Sequence, residues 1–231
     1  MQKQKKLIIK NLETFKTIKM FSCFCKKTKI SPSEYVDGPI DNEIVERMKQ
    51  TNKVIFGNEF NYPVINLPNS ITTIRFSGGS FNHSLDNLPV GIKELTLNSR
   101  FNQPLDYLPY GLEVLKFQSG SIFSHSLDNL PLTIKILEIP LLYNHEINCL
   151  PNSVEQLRIG VKVMLNDDNI LFPESSHFDN EENIQYFDKQ IRKIPEKLKN
   201  LYIFPDYNYL NDLQEKYGNK VVVISKEMRN Y

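Results

Sequence analysis

The apolar positions of this chain recur with a period far longer than that of a helix or a strand. Five times an aromatic residue is followed seven residues later by Leu-Pro: Phe60 with Leu67-Pro68, Phe81 with Leu88-Pro89, Phe101 with Leu108-Pro109, Phe123 with Leu130-Pro131 and Tyr143 with Leu150-Pro151. Successive units start 21, 20, 22 and 20 residues apart. Aligned on the Leu of Leu-Pro, three further columns are apolar throughout. Four residues on stand Ile71, Ile92, Leu112, Ile134 and Val154; seven on, Ile74, Leu95, Leu115, Leu137 and Leu157; nine on, Phe76, Leu97, Phe117, Ile139 and Ile159. The last two columns are two residues apart, which puts both side chains on one face of a strand. Each unit therefore reads as a short strand, an aromatic corner, an irregular return and a Leu-Pro turn. Proline has no N–H to give a ladder, so it belongs to the turn rather than the strand. No such unit buries its apolar side alone, and the stack shares one continuous core.

The pattern also sets the organisation. Val54 and Phe56 continue the two strand columns upstream and read as the first strand of the stack. Before them, Asp41–Gln50 carries Ile44, Val45 and Met48 behind an Asp41 or Asn42 N-cap, predicting a short helix over the open end of the core. Downstream, Phe172-Pro173 keeps the period at 22 residues past Leu150-Pro151, but its strand columns fall on Ser176, Asp179 and Glu181, which cannot fill a core. The expectation there is a polar excursion over 166–183, either a degenerate repeat or a loop insertion. The pattern resumes with Phe187, Ile191, Ile194-Pro195, Leu198, Leu201 and Ile203, and with Tyr207-Asn208 at the next corner. A helix over Tyr209–Tyr217, a stop at Gly218 and a strand over Val221–Ile224 close the chain. The expected layout is a basic, partly disordered segment over 1–38, a helical cap over 39–53, five repeats over 54–165, the excursion, and a last repeat with an α/β cap over 184–231.

Phe60-Asn61-Tyr62-Pro63, Phe101-Asn102-Gln103-Pro104 and Phe81-Asn82-His83-Ser84-Leu85-Asp86 resemble FNIP repeats, which belong to the leucine-rich-repeat-like group. The Leu-Pro-x-x-Leu-x-x-Leu-x-Leu stretch is similar to a leucine-rich-repeat core segment. The resemblance spans about 54–160 and, less fully, 187–210. It implies a curved repeat solenoid with short parallel strands on its concave side, irregular returns on the other, and a protein-binding role. The family is abundant in giant DNA viruses and amoebae, in keeping with the AT-rich coding that the absence of Ala suggests. Some members carry an N-terminal F-box, a ubiquitin-ligase adaptor segment; residues 1–50 show no such pattern.

Charge narrows the picture only locally. Lys+Arg is 28 and Asp+Glu 27, so the overall balance names no partner. Residues 1–30, however, hold nine Lys against Glu13 alone, leaving 19 basic and 26 acidic residues in the remainder. Cys23 and Cys25 beside these lysines suggest a two-signal peripheral membrane anchor. Nucleic acid is the weaker use of the same lysines, which lack interleaved Arg or an organised motif. Three Cys (Cys23, Cys25, Cys149) make no disulfide framework and suit a reducing compartment, so the expected location is cytoplasmic, the host cytoplasm if viral. No apolar run is long enough to span a membrane, and Lys10, Lys16 and Lys19 break the N-terminal one, against a signal peptide.

Three polar columns flank the core. Asn61, Asn82, Asn102, Asn144 and Asn208 follow the aromatic, with Ser124 in the same place. A buried amide once per turn reads as a structural ladder, bonding backbone groups that neighbours leave unpaired. His83, His125 and His145 come one residue later, but zinc needs about four closely placed ligands and nothing completes a set. Asp86, Asp106 and Asp128 recur on the returns, where a bond to a nearby backbone N–H outweighs an acid–base role. There is no Gly-rich phosphate loop, nucleophile elbow or His-Glu-x-x-His pattern. The reading is therefore no catalytic residues, no metal, no cofactor and no small-molecule substrate. The one enzymatic alternative gathers Asp167, Asp168, His177 and Asp179 in the excursion. Between the two core columns, strand alternation turns Arg75, Thr96, Lys116, Glu138, Arg158 and Tyr202 to the concave face, with Asn98 and Gln118 just after the strands. Their mixed charge favours a protein ligand over a polyanion, and the expected function is a non-enzymatic interaction scaffold.

Overall fold

A computed structural model describes residues 33–160 and 187–224 of the 231-residue chain. Its nine strands form one sheet in strict sequence order, every neighbouring pair parallel. They are β1 (Ser33–Val36), β2 (Lys53–Phe56), β3 (Thr73–Phe76), β4 (Glu94–Leu97), β5 (Val114–Phe117), β6 (Ile136–Ile139), β7 (Gln156–Ile159), β8 (Asn200–Ile203) and β9 (Val221–Val223). Helix α1 (Asn42–Met48) lies between β1 and β2; α2 (Leu210–Tyr217) and a 3-10 turn (Gly218–Lys220) precede β9. The fold is a parallel, leucine-rich-repeat-like solenoid.

Register follows the apolar columns. Val54 pairs with Ile74, Ile74 with Leu95, Leu95 with Leu115, Leu115 with Leu137 and Leu137 with Leu157. All six are fully buried, and each burial is worth about 1.5–3 kcal/mol against exposure. A one-residue slip would turn the whole column to the other face, so the core enforces the pairing. The prolines sit where the reading placed them, with the carbonyls of Pro68, Pro89, Pro109, Pro131 and Pro151 accepting from the N–H three residues on at 3.0–3.2 Å. A turn that uses the proline carbonyl loses nothing by the missing N–H.

The corner aromatics stack along the core. Ring centroids are 5.9 Å apart for Phe60–Phe81, 6.0 Å for Phe81–Phe101, 6.3 Å for Phe101–Phe123 and 6.2 Å for Phe123–Tyr143. From Phe81 to Tyr143 the planes lie within 10° of each other, in the offset arrangement aromatic rings favour.

Both ends are capped. Asp41 is the N-cap of α1, its Oδ1 accepting the Ile44 N–H at 2.8 Å, and Met48 is fully buried against the core. At the other end Leu213 of α2 is buried. Among the described residues the stack begins one strand earlier than the pair Val54 and Phe56. β1 falls in the stretch expected to be a basic tail, and only its Val36 is buried, so it carries no alternation to read.

The largest departure from regular spacing lies between β7 and β8. They pair directly, Leu157 opposite Leu201, although 44 residues separate them. Corner aromatics follow the last strand column by four to six residues from Phe81 to Tyr143, whereas Phe187 follows Ile159 by 28. Phe187 stacks on Tyr207 at 5.9 Å, and its N–H reaches Leu141 O at 2.8 Å, which places it at the corner after β7. Asn148 Oδ1 accepts the Arg192 N–H at 3.0 Å and Asn152 Oδ1 the Glu196 N–H at 3.4 Å across the same gap. β7 and β8 are direct neighbours in the sheet, so the described layers on either side of 161–186 are adjacent. The enzymatic alternative (Asp167, Asp168, His177, Asp179) and the segment 1–30 lie outside the described residues.

Candidate binding face

The side chains between the two core columns form one row across the outer face of the sheet. Pairing places Ile55, Arg75 and Thr96 side by side on β2 to β4, then Lys116 on β5, with Glu138, Arg158 and Tyr202 on β6 to β8. Neighbours in such a row are about 4.8 Å apart, within reach of long side chains. Glu138 Oε1 lies 3.3 Å from Arg158 Nη1 and 4.0 Å from Lys116 Nζ. The Arg158 guanidinium in turn lies 5.0 Å from the Tyr202 ring centroid, a cation–π distance.

Burial along the row is uneven. Thr96, Lys116, Arg158 and Tyr202 are half-buried, but Arg75 is 7% and Glu138 only 3% exposed. Desolvation pushes the Glu138 carboxyl above its ordinary pKa, and the attraction of Lys116 and Arg158 offsets only part of this. Its Oε2 is buried with no hydrogen-bond partner.

The two expected binding residues just past the strands are engaged differently from the row. Asn98 is fully buried, and Gln118 spends its Nε2 donor on Phe76 O at 2.8 Å, two turns away. The reason is position. Both lie one residue past the strand, where the chain turns into the corner, and the Gln118 amide bonds backbone there. Ser77, in the same column, is buried too and donates to Phe56 O at 2.7 Å.

The Asn ladder exists, but at the solvent edge rather than as buried amides. Asn61 Oδ1 accepts the Asn82 N–H at 3.4 Å, Asn82 Oδ1 the Asn102 N–H at 2.8 Å, and Asn102 Oδ1 the Ser124 N–H at 2.9 Å. The chain of bonds ends at Ser124; Asn144 and Asn208 are exposed and take no part in it. Asn102→Ala removes one rung and leaves a backbone N–H to water, with an expected loss of about 1 kcal/mol in denaturant unfolding. An unchanged midpoint would show that the rung contributes nothing.

The histidines reinforce the same corners. The Nε2 atoms of His83, His125 and His145 lie 3.0, 3.1 and 2.7 Å from the carbonyls of Asn61, Asn102 and Ser124 one turn earlier. Each ring thus pins two turns together. Among the described residues no three metal-ligating side chains cluster. The aspartates differ from expectation. Ser84 and Ser126, not Asp side chains, accept the N–H groups of Asp86 and Asp128 at 3.1 Å, while Asp106 Oδ1 takes the Asn129 amide at 2.8 Å. A seryl oxygen two residues before an N–H makes this turn without a charged group.

A further polar row escaped the reading. Five residues after the Leu of the second to fifth Leu-Pro pairs, and after Ile194, stand Lys93, Glu113, Lys135, Glu155 and Lys199, alternating in sign, while Thr72 takes the first place. Lys93–Glu113 is 3.2 Å, Lys135–Glu113 2.6 Å and Lys199–Glu155 2.6 Å. Bonds from Lys135 and then Lys93 hold the Glu113 carboxyl below its ordinary pKa, and Lys199 does the same for Glu155. The signal was present as alternation down the column rather than along the chain. The alternation holds because Lys199 follows Glu155 directly.

Residues 81–120 match the FNIP Repeat family. Among solved structures the chain is similar to CroV588, described as a novel circular LRR protein, with TM-score 0.50 and 23% identity, covering 74% of this chain and 26% of that one. The chain thus spans about a quarter of the length of that protein, and at this identity the likeness is one of fold. No curated protein matches. Among the described residues no helix is long and apolar enough to cross a membrane.

Proposed function

Taking the chain as a leucine-rich-repeat-like solenoid that carries FNIP repeats, we propose that it is a non-enzymatic interaction scaffold that binds a protein on the outer sheet face, centred on Lys116, Glu138, Arg158 and Tyr202. The observation that supports this reading is Glu138. A carboxylate is kept at 3% exposure on the side of the sheet away from the core, incompletely paired and with one oxygen unpartnered. Folding gains little from such a group. A partner that brings a donor to Oε2, and an extended segment across the half-buried flanks, makes use of it.

The sign of the pH effect supplies the test. The folded-state pKa of Glu138 is raised, so its favourable contribution is complete below the ordinary carboxylate pKa and is lost as pH rises through the raised value. Glu138→Gln removes that loss. Its Tm is expected to equal or exceed the parent's at about pH 7, with the difference closing towards about pH 4. In affinity capture followed by mass spectrometry, the same variant should lose the protein that the parent chain retains. A lowered Tm with the captured protein unchanged would make Glu138 a structural residue and place the contact elsewhere.

A further inference from the structure

A second exposed row lies beside the charged one. The residue after each Leu-Pro is Asn69, Val90, Tyr110, Leu132 and Asn152. Val90 is 82%, Tyr110 88% and Leu132 79% exposed, so three successive turns present a bare apolar ridge closed by an asparagine at each end. The charged row runs alongside it. A Cβ placed on Gly111, the residue next to Tyr110, would lie 3.5 Å from Lys93 Nζ. Scattered apolar residues on a surface need no explanation, but a contiguous ridge marks an interaction site.

The charges select the occupant. Lys93, Glu113, Lys135 and Glu155 read plus, minus, plus, minus down the stack. These four are antisymmetric about their midpoint, between Glu113 and Lys135, and Lys199 beyond Glu155 then falls opposite the uncharged Thr72. A twofold axis through that midpoint, across the stack, sets the row antiparallel against itself. Glu113 then faces Lys135 of a second copy, Lys93 faces Glu155, and Tyr110 faces Leu132. A twofold axis centred on Tyr110 would instead oppose Glu113 to itself and Lys93 to Lys135. We propose that the chain forms a twofold dimer through the ridge Val90–Tyr110–Leu132, in the register set by Lys93, Glu113, Lys135 and Glu155. Self-complementarity of one patch is what an isologous interface requires. With Lys199 the row sums to a single positive charge, too little to hold an anionic membrane by charge alone. The ridge is small against the roughly 1,200–2,000 Å² of a standard interface, so the dimer is expected to be weak, appearing on the order of 10–100 μM.

The full chain is tested by sedimentation velocity and light scattering across that range. The expected mass rises from 27.0 kDa towards twice that value. Tyr110→Asp with Leu132→Asp should hold the chain at monomer mass. Glu113→Lys alone and Lys135→Glu alone should each weaken association at least tenfold, since each opposes like charges. Their equimolar mixture should recover it, because each variant then meets its complement. This arm separates the proposal from loss of fold, since a defect within one chain is not repaired by a second. A parent chain that stays at 27.0 kDa, a dimer indifferent to Tyr110 and Leu132, or a mixture that fails to recover overturns the proposal. Tyr110-dependent flotation with phosphatidylcholine vesicles in a chain that remains monomeric does the same, and assigns the ridge to lipid.

Discussion

Phe101→Ala is expected to lower the unfolding free energy by about 3–5 kcal/mol, the largest effect of any single side-chain truncation in the stack. Phe101 is fully buried at the centre of the aromatic spine, with Phe81 at 6.0 Å on one side and Phe123 at 6.3 Å on the other. The loss has two parts, the transfer of the ring and the hole it leaves. The hole has little room to close. Leu95, Leu97, Leu115 and Phe117 are fixed by the sheet, and the corners are tied turn to turn by the bonds from Asn82 to Asn102 and from Asn102 to Ser124. A stack is held by nearest-neighbour interfaces, so the defect sits where both halves need it. Denaturant unfolding measures the change. A loss below about 1.5 kcal/mol would mean that the neighbouring rings collapse into the gap and that the spine is not rigid.

Gly78→Ala is expected to cost about 3 kcal/mol or more, while Gly79→Ala beside it costs less than about 0.5 kcal/mol. An added Cβ on Gly78 would stand 2.2 Å from Asn58 Cα and 2.5 Å from Asn58 O. These are backbone atoms of the turn below, so no rotamer change relieves the overlap and the two corners must move apart. On Gly79 the nearest atoms are Ser99 Oγ at 3.5 Å and Arg100 Cδ at 3.9 Å, ordinary contact. The pair makes its own control, since the two substitutions have the same chemistry one residue apart. Paired thermal melts decide the matter. Equal shifts would show that the corner of β3 is plastic rather than closely approached.

The parts of the fold that the sequence disclosed are those in which one residue type recurs because one environment recurs. Phe60, Phe81, Phe101, Phe123 and Tyr143 occupy equivalent places, so their spacing is the structure's own repeat. The Leu95 and Leu97 columns and the Pro89 and Pro109 turns were legible for the same reason. What stayed hidden has no recurrence to betray it. β1 has a single buried side chain, Val36. Asn98 and Gln118 look like face residues by alternation, but the strand has already ended and the chain is turning. The row of Arg75, Lys116, Glu138 and Arg158 was found by alternation, yet its uneven burial depends on what each side chain leans against. Phe172-Pro173 preserves the period of 22 while its strand columns Ser176, Asp179 and Glu181 lack any apolar residue, and that chemistry predicts a polar excursion there.

The direct meeting of β7 and β8 separates covalent order from assembly order. Chain leaves β7 at Gly160, whose φ of 69° and Cβ direction towards Leu141 Cδ1 at 2.6 Å admit glycine best. Phe187 occupies the corner that a link of four to six residues after Ile159 would have reached. The seam is fastened by the sheet ladder, by Asn148 and Asn152, and by the Lys199–Glu155 pair, none of which depends on what connects the two sides. Residues 33–160 and 187–224 therefore carry matching surfaces of their own, and the order of layers in the sheet is written in those surfaces.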